Sequence, residues 1–239
     1  MADVANILVI LLIASLIQGV AGFGFGLFAM GVLTLMMPIT DAAVIVAIVS
    51  LGTTLVNVWT LRDDLRWREV WPILTTALPA TALGVYLLQV IDPAILRTSM
   101  AVVIVFGCVV ALWSPGKALL HRAFPWAQIA GSLGGLLSGV MNMGGPPVVL
   151  YTLFRDWDKS ITKGVMSAYF LASLSFRMVM LAVTGATTPD NVRRGLLVLL
   201  PALAASYLGV RIFRRMSTAV FRYATTALLV GLAIRMVVS

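Results

Sequence analysis

Two glycine-rich stretches decide how this chain folds: AGFGFG at residues 21–26 and MNMGGPP at residues 141–147. Each interrupts an apolar run, and the flanks match, because QGV precedes the first at 18–20 and SGV precedes the second at 138–140. Glycine and proline within a membrane segment free backbone groups that lipid cannot bind, so such backbone survives only inside protein or beside water. Matched breaks in the two halves of a repeat indicate a transporter's binding site. We therefore interpret the two breaks as parts of one site.

The composition is that of a membrane protein. Of 239 residues, 61% are hydrophobic and 11% are charged, and the mean hydropathy is +1.04, whereas a soluble domain carries roughly 25% charged residues. The net charge of +8 does not indicate nucleic-acid binding, because the basic residues lie in short loops between apolar runs, where they set topology. The one cysteine, Cys108, excludes an internal disulfide and a cysteine-based metal cluster. We expect an all-α polytopic membrane protein without metal or cofactor.

The apolar runs follow the same plan twice. A shift of 125 residues aligns LGV at 83–85 with LGV at 208–210. We therefore predict a first repeat at residues 1–113, a linker at 114–126 and a second repeat at 127–239. With the two arms around each break counted together, there are eight apolar segments: 4–17 with 26–37, 42–61, 70–91, 94–113, 127–141 with 148–154, 161–183, 195–210 and 219–238.

The arms around each break are too short to cross a membrane singly. The arm at 26–37 has 12 residues, which reach about 18 Å as a helix, against a hydrocarbon core of roughly 30 Å. Two arms therefore form either one broken helix that crosses or a re-entrant hairpin that returns to its own side.

Charge counting separates these alternatives. With hairpins, each half keeps three transmembrane helices, and 11 lysines and arginines share one side: Arg62, Arg66, Arg68, Lys117, Arg122, Arg155, Lys159, Lys163, Arg211, Arg214 and Arg215. Four face the other side, namely Arg97, Arg193, Arg194 and Arg235. This is the positive-inside asymmetry, whereas one crossing per segment divides the charges almost evenly. We therefore predict two inverted repeats, each a re-entrant hairpin plus three spans, with both termini facing away from the cytoplasm.

The second arm of each hairpin begins directly after its break. A helix N-terminus carries unpaired N–H groups and partial positive charge, both of which favour an anion, and glycine lets a ligand approach the backbone. Proline suits the first helical turn, where its missing N–H is not needed. We therefore predict that the breaks cradle an oxyanion. The alternative is that their glycines only permit close helix packing, as we expect for the isolated Gly52 and Gly84.

Arg177 lies deep in the apolar run at 161–183. An ionisable residue within a membrane marks a functional site by default, and a guanidinium fits a sulfonate or a carboxylate. The alternative is a side chain that extends to the nearby outer interface. Asn57 lies at a comparable depth in the first half, and Gln18 and Asn142 flank the breaks.

Together these residues predict a site for an anion near mid-membrane. No carboxylate lies deep in a span, which argues against a cation pathway. No catalytic residue is expected, because the spans contain no aspartyl or Ser–His pair. The predicted substrate-binding residues are Gln18, Gly22, Phe23, Gly24, Gly26, Asn57, Asn142, Met143, Gly144, Gly145, Pro146 and Arg177.

These stretches resemble the sulfite exporter TauE/SafE family, also called the 4-toluene sulfonate uptake family. The likeness rests on GVAGFGFGLFAMGVLTLMMP at 19–38 and GLLSGVMNMGGPPVVLYTL at 135–153, and it covers essentially the whole chain. The resemblance implies a secondary transporter of the bacterial inner membrane, not an enzyme, that exports sulfite, sulfoacetate or a related sulfonate. Its termini would then be periplasmic. Its partners would be a small anionic substrate and the lipid bilayer, without nucleic acid.

Two other functions are compatible with the residues. A passive anion channel would share this fold, and counterflow or proton-driven accumulation in liposomes separates a transporter from a channel. A membrane sulfur-relay enzyme would need reactive cysteine thiolates, and the one cysteine, Cys108, lies in an apolar run. The second break is rich in proline and the first is not, so we expect the two tips to contact the ligand differently.

Overall fold

The computed structural model describes residues 4–96, 98–99, 102–103, 105, 120, 122–155 and 157–216. Over these residues the chain forms helices and no strand, which confirms the all-α prediction. The N-terminal half includes α1 (Val4–Ala21), α2 (Phe25–Leu33), α3 (Ile39–Thr60), a short 3-10 helix (Arg62–Asp64) and α4 (Trp67–Val90). The C-terminal half includes α5 (Trp126–Met141), α6 (Gly145–Phe154), α7 (Lys159–Val183) and α8 (Pro189–Arg215). The predicted span at 219–238 lies outside the described residues, as do most of the span at 94–113 and of the linker at 114–126.

Four of these helices, α3, α4, α7 and α8, are long and apolar enough to cross a membrane. Helices α1 and α6 are apolar but shorter. Trp59, Trp67 and Trp71 are 68%, 43% and 60% exposed where α3 ends and α4 begins, and tryptophan is typical of the lipid–water interface. The chain is therefore a multi-pass membrane protein.

Polar residues lengthen α8 beyond its apolar run. The run at 195–210 predicts a helix of 16 residues, but α8 extends from Pro189 to Arg215. Its first turn is closed by a reciprocal capping box, in which Thr188 Oγ1 accepts from the Asn191 N–H and the Asn191 side chain accepts from the Thr188 N–H. Such a box satisfies two backbone donors at a helix start, so the helix begins well before the apolar residues do.

The prediction that Lys163 lies in a cytoplasmic loop is wrong. Helix α7 begins at Lys159, and Lys163 lies within its second turn, where it is 1% exposed. It therefore does not belong among the loop charges that set topology. The charged loop predicted to end there is reduced to the short connection between α6 and α7.

A stripe of small residues joins α5 to α4. A Cβ at any of three glycines of α5 would overlap a backbone carbonyl of α4: Gly131 on Ile73, Gly135 on Ala77 and Gly139 on Thr81. The contacts advance in the same direction along both helices, so α5 and α4 are parallel. Glycine spaced by four residues is how membrane helices bring their backbones together. Gly84 of α4 meets the Cα of Gly139 in this crossing, which confirms the packing role expected for Gly84.

The same kind of crossing joins α1 to α8. A Cβ on Gly19 would overlap the carbonyl oxygen of Ser206, and a Cβ on Gly209 would lie 2.8 Å from the Cα of Gly19. Gly209 and Gly84 are the glycines of the two aligned LGV triplets. Equivalent contacts at aligned positions are what a repeat would produce, and the inverted repeat itself stays a prediction.

Basic loops collect at one end of the helices. Arg155 Nη2, after α6, pairs with Glu69 Oε2 near the start of α4 at 3.0 Å. Arg214, near the end of α8, donates to the carbonyl of the last residue of α3 at 2.6 Å. At the opposite end, Asn191 Nδ2 donates to Asp41 Oδ1 near the start of α3 at 3.3 Å. The start of α4 and the ends of α3, α6 and α8 therefore share one end of the molecule, and the assignment of that end to the cytoplasm stays a prediction.

Candidate functional site

The two glycine-rich breaks lie against each other. The first separates α1 from α2, where Gly22 and Gly24 have φ angles of 81° and 92°, a region that glycine enters without a Cβ penalty. The second separates α5 from α6, where Asn142 ends α5 with a φ angle of 59°. A Cβ on Gly26 would overlap the carbonyl oxygen of Asn142. The sequence separates these breaks by 120 residues, and the fold brings them into backbone contact.

A small cavity lies between the breaks. Its volume is about 20 Å³, which is enough for about one water molecule. Seven predicted site residues line it: Gln18, Phe23, Gly24, Gly26, Asn142, Met143 and Gly145. Six residues that were not predicted complete the lining: Phe25, Leu27, Ser50, Ser138, Phe170 and Leu174. No acidic side chain is among them, and the described residues contain no group of three His, Cys, Asp or Glu that could hold a metal ion.

Uncharged polar side chains give the cavity its hydrogen-bonding capacity. The amide of Gln18 is held on α3, since its Nε2 donates to Thr54 Oγ1 at 2.8 Å and its Oε1 accepts from Thr53 Oγ1 at 2.7 Å. Asn142 Nδ2 donates to Ser50 Oγ at 3.3 Å, whereas its Oδ1 is buried without a partner. Buried polar atoms are normally paired. The Asn142 Nδ2 uses one of its two N–H groups and can donate the other to an anion, whereas the unpaired Oδ1 is an acceptor and cannot bind one.

The two helices that start at the cavity offer different numbers of donors. The N–H groups of the first helical turn have no intrahelical acceptor. Helix α2 begins with Phe25, Gly26 and Leu27, which all carry an N–H and all line the cavity. Helix α6 begins with the sequence GPP at 145–147, and proline has no N–H. The first break therefore presents three such donors, and the second presents one.

Three other predicted residues lie beside the cavity without lining it. A Cβ on Gly144 would overlap the carbonyl oxygen of Gly134, and a Cβ on Gly22 would lie 2.9 Å from the Cγ of Lys163. Pro146 is buried in the first turn of α6. At Gly144 and Gly22 the observed contact is close packing, which was the alternative to ligand binding.

Arg177 is fully buried, so its side chain does not extend to the outer interface. Its Nε donates to the Gly139 carbonyl at 3.2 Å, and its Nη1 donates to the Ala43 carbonyl at 3.1 Å. Gly139 lies in the last turn of α5, where carbonyls have no intrahelical donor. The third guanidinium nitrogen, Nη2, is buried without a hydrogen-bond partner. Arg177 does not line the cavity, and its contact with a ligand stays a prediction.

Lys163 is the functional candidate that sequence reasoning missed. Its Nζ donates to the carbonyls of Gly19 and Val20, at 2.5 and 3.4 Å, in the last turn of α1. The ammonium also lies 3.9 Å from the centre of the Phe213 ring, which is a cation–π contact. The available signal was its position two residues inside the apolar run at 161–183.

Helix α7 presents both cations and part of the cavity lining. Lys163 and Arg177 are 14 residues apart, which is close to four turns, so both lie on nearly the same side of the helix. Phe170 and Leu174, which line the cavity, lie between them in sequence. Asn57, on α3, is 1% exposed with a buried unpartnered Oδ1. It does not line the cavity, and its contact with a ligand stays a prediction.

Comparison with known proteins now identifies the family. The family model described as "Sulfite exporter TauE/SafE" matches residues 7–236. A curated protein of Cupriavidus necator, named "Probable sulfite/organosulfonate exporter TauE", is 29% identical over 150 residues, which are 60% of this chain and 58% of that relative. The aligned part therefore covers less than two thirds of the relative's length. No solved structure matches the chain. With a family match over nearly its whole length, this chain is a membrane protein of the sulfite exporter TauE/SafE family.

Proposed function

We propose that this protein is a secondary transporter that exports sulfite, sulfoacetate or a related sulfonate across the bacterial inner membrane. The anion would be held near mid-membrane between the two breaks. One observation carries the proposal: the cavity where the breaks meet is lined by the three residues that start α2, whose N–H groups have no intrahelical acceptor, and by no carboxylate. Buried donors without a buried carboxylate suit an anion, since a cation would need oxygen ligands or a negative charge.

The donors differ in kind and in direction. The N–H groups of Phe25, Gly26 and Leu27 point along α2 towards its start, where the helix carries partial positive charge. The hydroxyl of Ser138 and the amide of Asn142 add side-chain donors around the same space, whereas the Ser50 hydroxyl already donates to the Ala47 carbonyl. A sulfonate has three acceptor oxygens, so a set of donors distributed around it can bind all three.

The cavity represents a closed arrangement of the site. A sulfonate is larger than the single water molecule that the cavity admits, so binding requires the lining to move. Phe23 and Phe170 are the large side chains of the lining that lie within 4 Å of where a Cβ on Gly145 would be. Rotation of these rings would enlarge the cavity without breaking a backbone hydrogen bond. A site that closes over its ligand is expected of alternating access.

The arrangement of helices supports re-entrant hairpins. Helix α5 runs parallel to α4, and α7 begins beside the start of α4, where Arg155 pairs with Glu69. Helices α5 and α6 would therefore leave and return to one end of the molecule. Helix α3 begins at the opposite end, where Asp41 contacts Asn191, so α1 and α2 would return to that end. The two hairpins would then enter from opposite sides.

Cysteine labelling tests which end of the helix bundle faces the cytoplasm. Cysteines that replace Arg62 and Arg214 should react with a membrane-impermeant reagent only from the cytoplasm, and a cysteine added before residue 4 should react only from the periplasm. Reaction of the position-62 and position-214 cysteines from opposite faces would contradict the hairpin arrangement.

The substrate class is supported by the family and by the name of its relative. The C. necator protein is named as a sulfite and organosulfonate exporter, and a sulfur oxyanion fits the donor set described above. A passive channel remains the second candidate, because a donor-lined site also suits anion conduction. Counterflow distinguishes them, since a transporter exchanges labelled for unlabelled anion across a liposome membrane and a channel does not need the second anion.

The direct experiment is sulfoacetate transport by the purified full chain in liposomes, compared with an Asn142→Asp variant. This change keeps the size and left-handed backbone tolerance of the residue but adds a carboxylate to the cavity. At roughly 5 Å from the anion, repulsion should lower affinity by at least about a hundredfold. The matched control is Gln89→Glu, the same chemical change at an exposed position on α4. Unchanged transport in Asn142→Asp, or transport of cations by the wild type, would contradict the proposal.

A further inference from the structure

The two breaks create an electrostatic problem for an anion site. At each break one helix begins and another ends, and a helix end carries partial negative charge on its unpaired carbonyls. Helices α1 and α5 both end at the breaks, so their carbonyl ends lie close to the space in which the helix starts of α2 and α6 favour an anion. Left alone, the two kinds of helix end would oppose each other.

Each carbonyl end is bound by a buried cation of α7. Lys163 Nζ donates to the carbonyls of Gly19 and Val20 in the last turn of α1. Arg177 Nε donates to the carbonyl of Gly139 in the last turn of α5. Gly19 and Gly139 are the central residues of QGV and SGV, the matching triplets that precede the two breaks.

Within residues 4–96, 122–155 and 157–216, neither cation forms an ion pair with a carboxylate. The hydrogen bonds of Lys163 and Arg177 in the described part of the chain go to backbone carbonyls. No carboxylate in the described part of the chain neutralises either side chain, so each basic group brings its own charge to a helix end along with its hydrogen bonds. A buried charge is costly, and proteins keep one within a membrane where function needs it.

We propose that Lys163 is a positioning residue for the anion, which it favours without touching it. By capping α1, as Arg177 caps α5, it cancels the negative end of a broken helix, so that the anion is exposed chiefly to the positive ends. This inference rests on the proposed transport function. It adds a specificity-determining residue that is not in the cavity lining and makes α7 the source of both fixed charges.

The test compares Lys163→Met, which keeps the apolar stem and removes the charge, with Lys163→Arg, which keeps the charge. Arg211→Met is the matched control, because Arg211 is an exposed cation on α8. The ligands are isethionate and sulfoacetate, which are similar in size but carry one and two negative charges. Binding is measured on purified full-length protein in detergent at equal quantities of folded, monodisperse protein.

The expected result is a loss that grows with ligand charge. Lys163 lies seven residues from Phe170 of the lining, or roughly 10 Å along α7, and at an effective dielectric constant of about 20 one unit charge changes binding about tenfold. Lys163→Met should therefore weaken isethionate about tenfold and sulfoacetate about a hundredfold, with Lys163→Arg close to wild type. Equal losses for both ligands, or no loss, would overturn the electrostatic role.

A second measurement tests the capping itself and needs no ligand. Amide hydrogen exchange reports local opening. Peptides that cover residues 19–25 should exchange on the order of tenfold faster in Lys163→Met, while those that cover 139–145 should stay unchanged. Unchanged exchange at 19–25 would overturn the capping role. If the wild type binds neither anion, the proposed transport function fails and with it the anion-positioning role, and exchange still decides whether Lys163 holds the end of α1.

Discussion

Both breaks end one helix and start the next, but they do so with different residues. The first uses glycine twice in left-handed backbone, at Gly22 and Gly24, and starts its second helix with three N–H groups. The second ends on Asn142 in left-handed backbone and starts its second helix with two prolines. Proline fixes φ but removes donors. The difference indicates that the first break supplies backbone donors and the second supplies rigidity and a side-chain amide.

The capping cations differ in a parallel way. The lysine that caps α1 is a flexible point charge, and it also contacts the ring of Phe213. The arginine that caps α5 is a planar group that joins two helices at once, through Gly139 of α5 and Ala43 of α3. Arginine and lysine are not interchangeable where two directed bonds are made. The arginine therefore ties the second break to α3 as well as to α7, whereas the lysine ties the first break to α7 and to a ring of α8.

Gly26→Ala should cause the largest loss of stability, because the added methyl group would push the two breaks apart. The new Cβ would overlap the backbone carbonyl of Asn142, which cannot move away as a side chain can. Overpacking of this kind costs about 3 kcal/mol or more, so we expect little folded protein. Size-exclusion chromatography of the solubilised protein and its thermal unfolding measure the effect. A stable, monodisperse Gly26→Ala protein would contradict the contact between the breaks.

Arg177→Ala should cause the next largest loss, in substrate affinity, and it tests whether the arginine and the lysine act differently on the two breaks. The predicted contact of Arg177 with the anion is a hydrogen bond between charged groups, worth about 1.5–3 kcal/mol, so its loss should lower sulfoacetate affinity roughly 10- to 150-fold. Arg177→Lys should recover only part of it, since an ammonium lacks the forked geometry that reaches both carbonyls. Affinities are compared at matched amounts of folded protein. Full recovery by lysine would show that the second break needs only a charge, as the first does.

Pro146→Ala should strengthen binding, because it gives the second break one more N–H at a helix start. A neutral hydrogen bond contributes about 0.5–1.5 kcal/mol, which corresponds to roughly two- to tenfold in affinity. Loss of the ring should lower the free energy of unfolding by about 0.4–1 kcal/mol. Isothermal titration with sulfoacetate measures the gain. Weaker binding at normal stability would show that the rigidity of the second break matters more than its donors.

Gly145→Ala should have the smallest effect of the four. Its Cβ would meet Phe23 at 3.4 Å and Phe170 at 3.6 Å, which are side chains that can shift, so the fold should be retained. The added methyl narrows the cavity, and affinity should fall no more than about threefold. Set beside Gly26→Ala, this variant separates a glycine required by backbone packing from one that lines the cavity. A loss as large as that of Gly26→Ala would remove this distinction.

The sequence predicted the features of the candidate site that depend on backbone chemistry, namely where the helices break. Glycine and proline within apolar runs locate both breaks, because lipid cannot bind the backbone groups that they free. Arg177 is recognisable because a charged side chain deep in an apolar run is costly in lipid. What it could not supply is which atoms a buried group contacts. Lys163 reads as a loop charge because it is close to the polar end of its run, yet the fold buries it on α1.

The sequence also does not show which residues pack against segments that are distant along the chain. Gly144 and Gly22 are indistinguishable in sequence from the glycines that line the cavity, but their neighbours are Gly134 and Lys163. Ser50, Ser138 and Phe170 are ordinary residues of membrane helices, and only the assembled fold brings them to the cavity. The length of α8 was underestimated for another reason, since its capping residues are polar and lie outside the apolar run.

The glycine crossings between α5 and α4 and between α1 and α8 tie each half of the chain to the other. Through these glycines, each broken element packs backbone to backbone against a helix from the opposite half. If either half were made alone, the glycine faces that contact the other half would have no partner and would be exposed. Two genes encoding residues 1–113 and 114–239 should therefore yield transport only when expressed together.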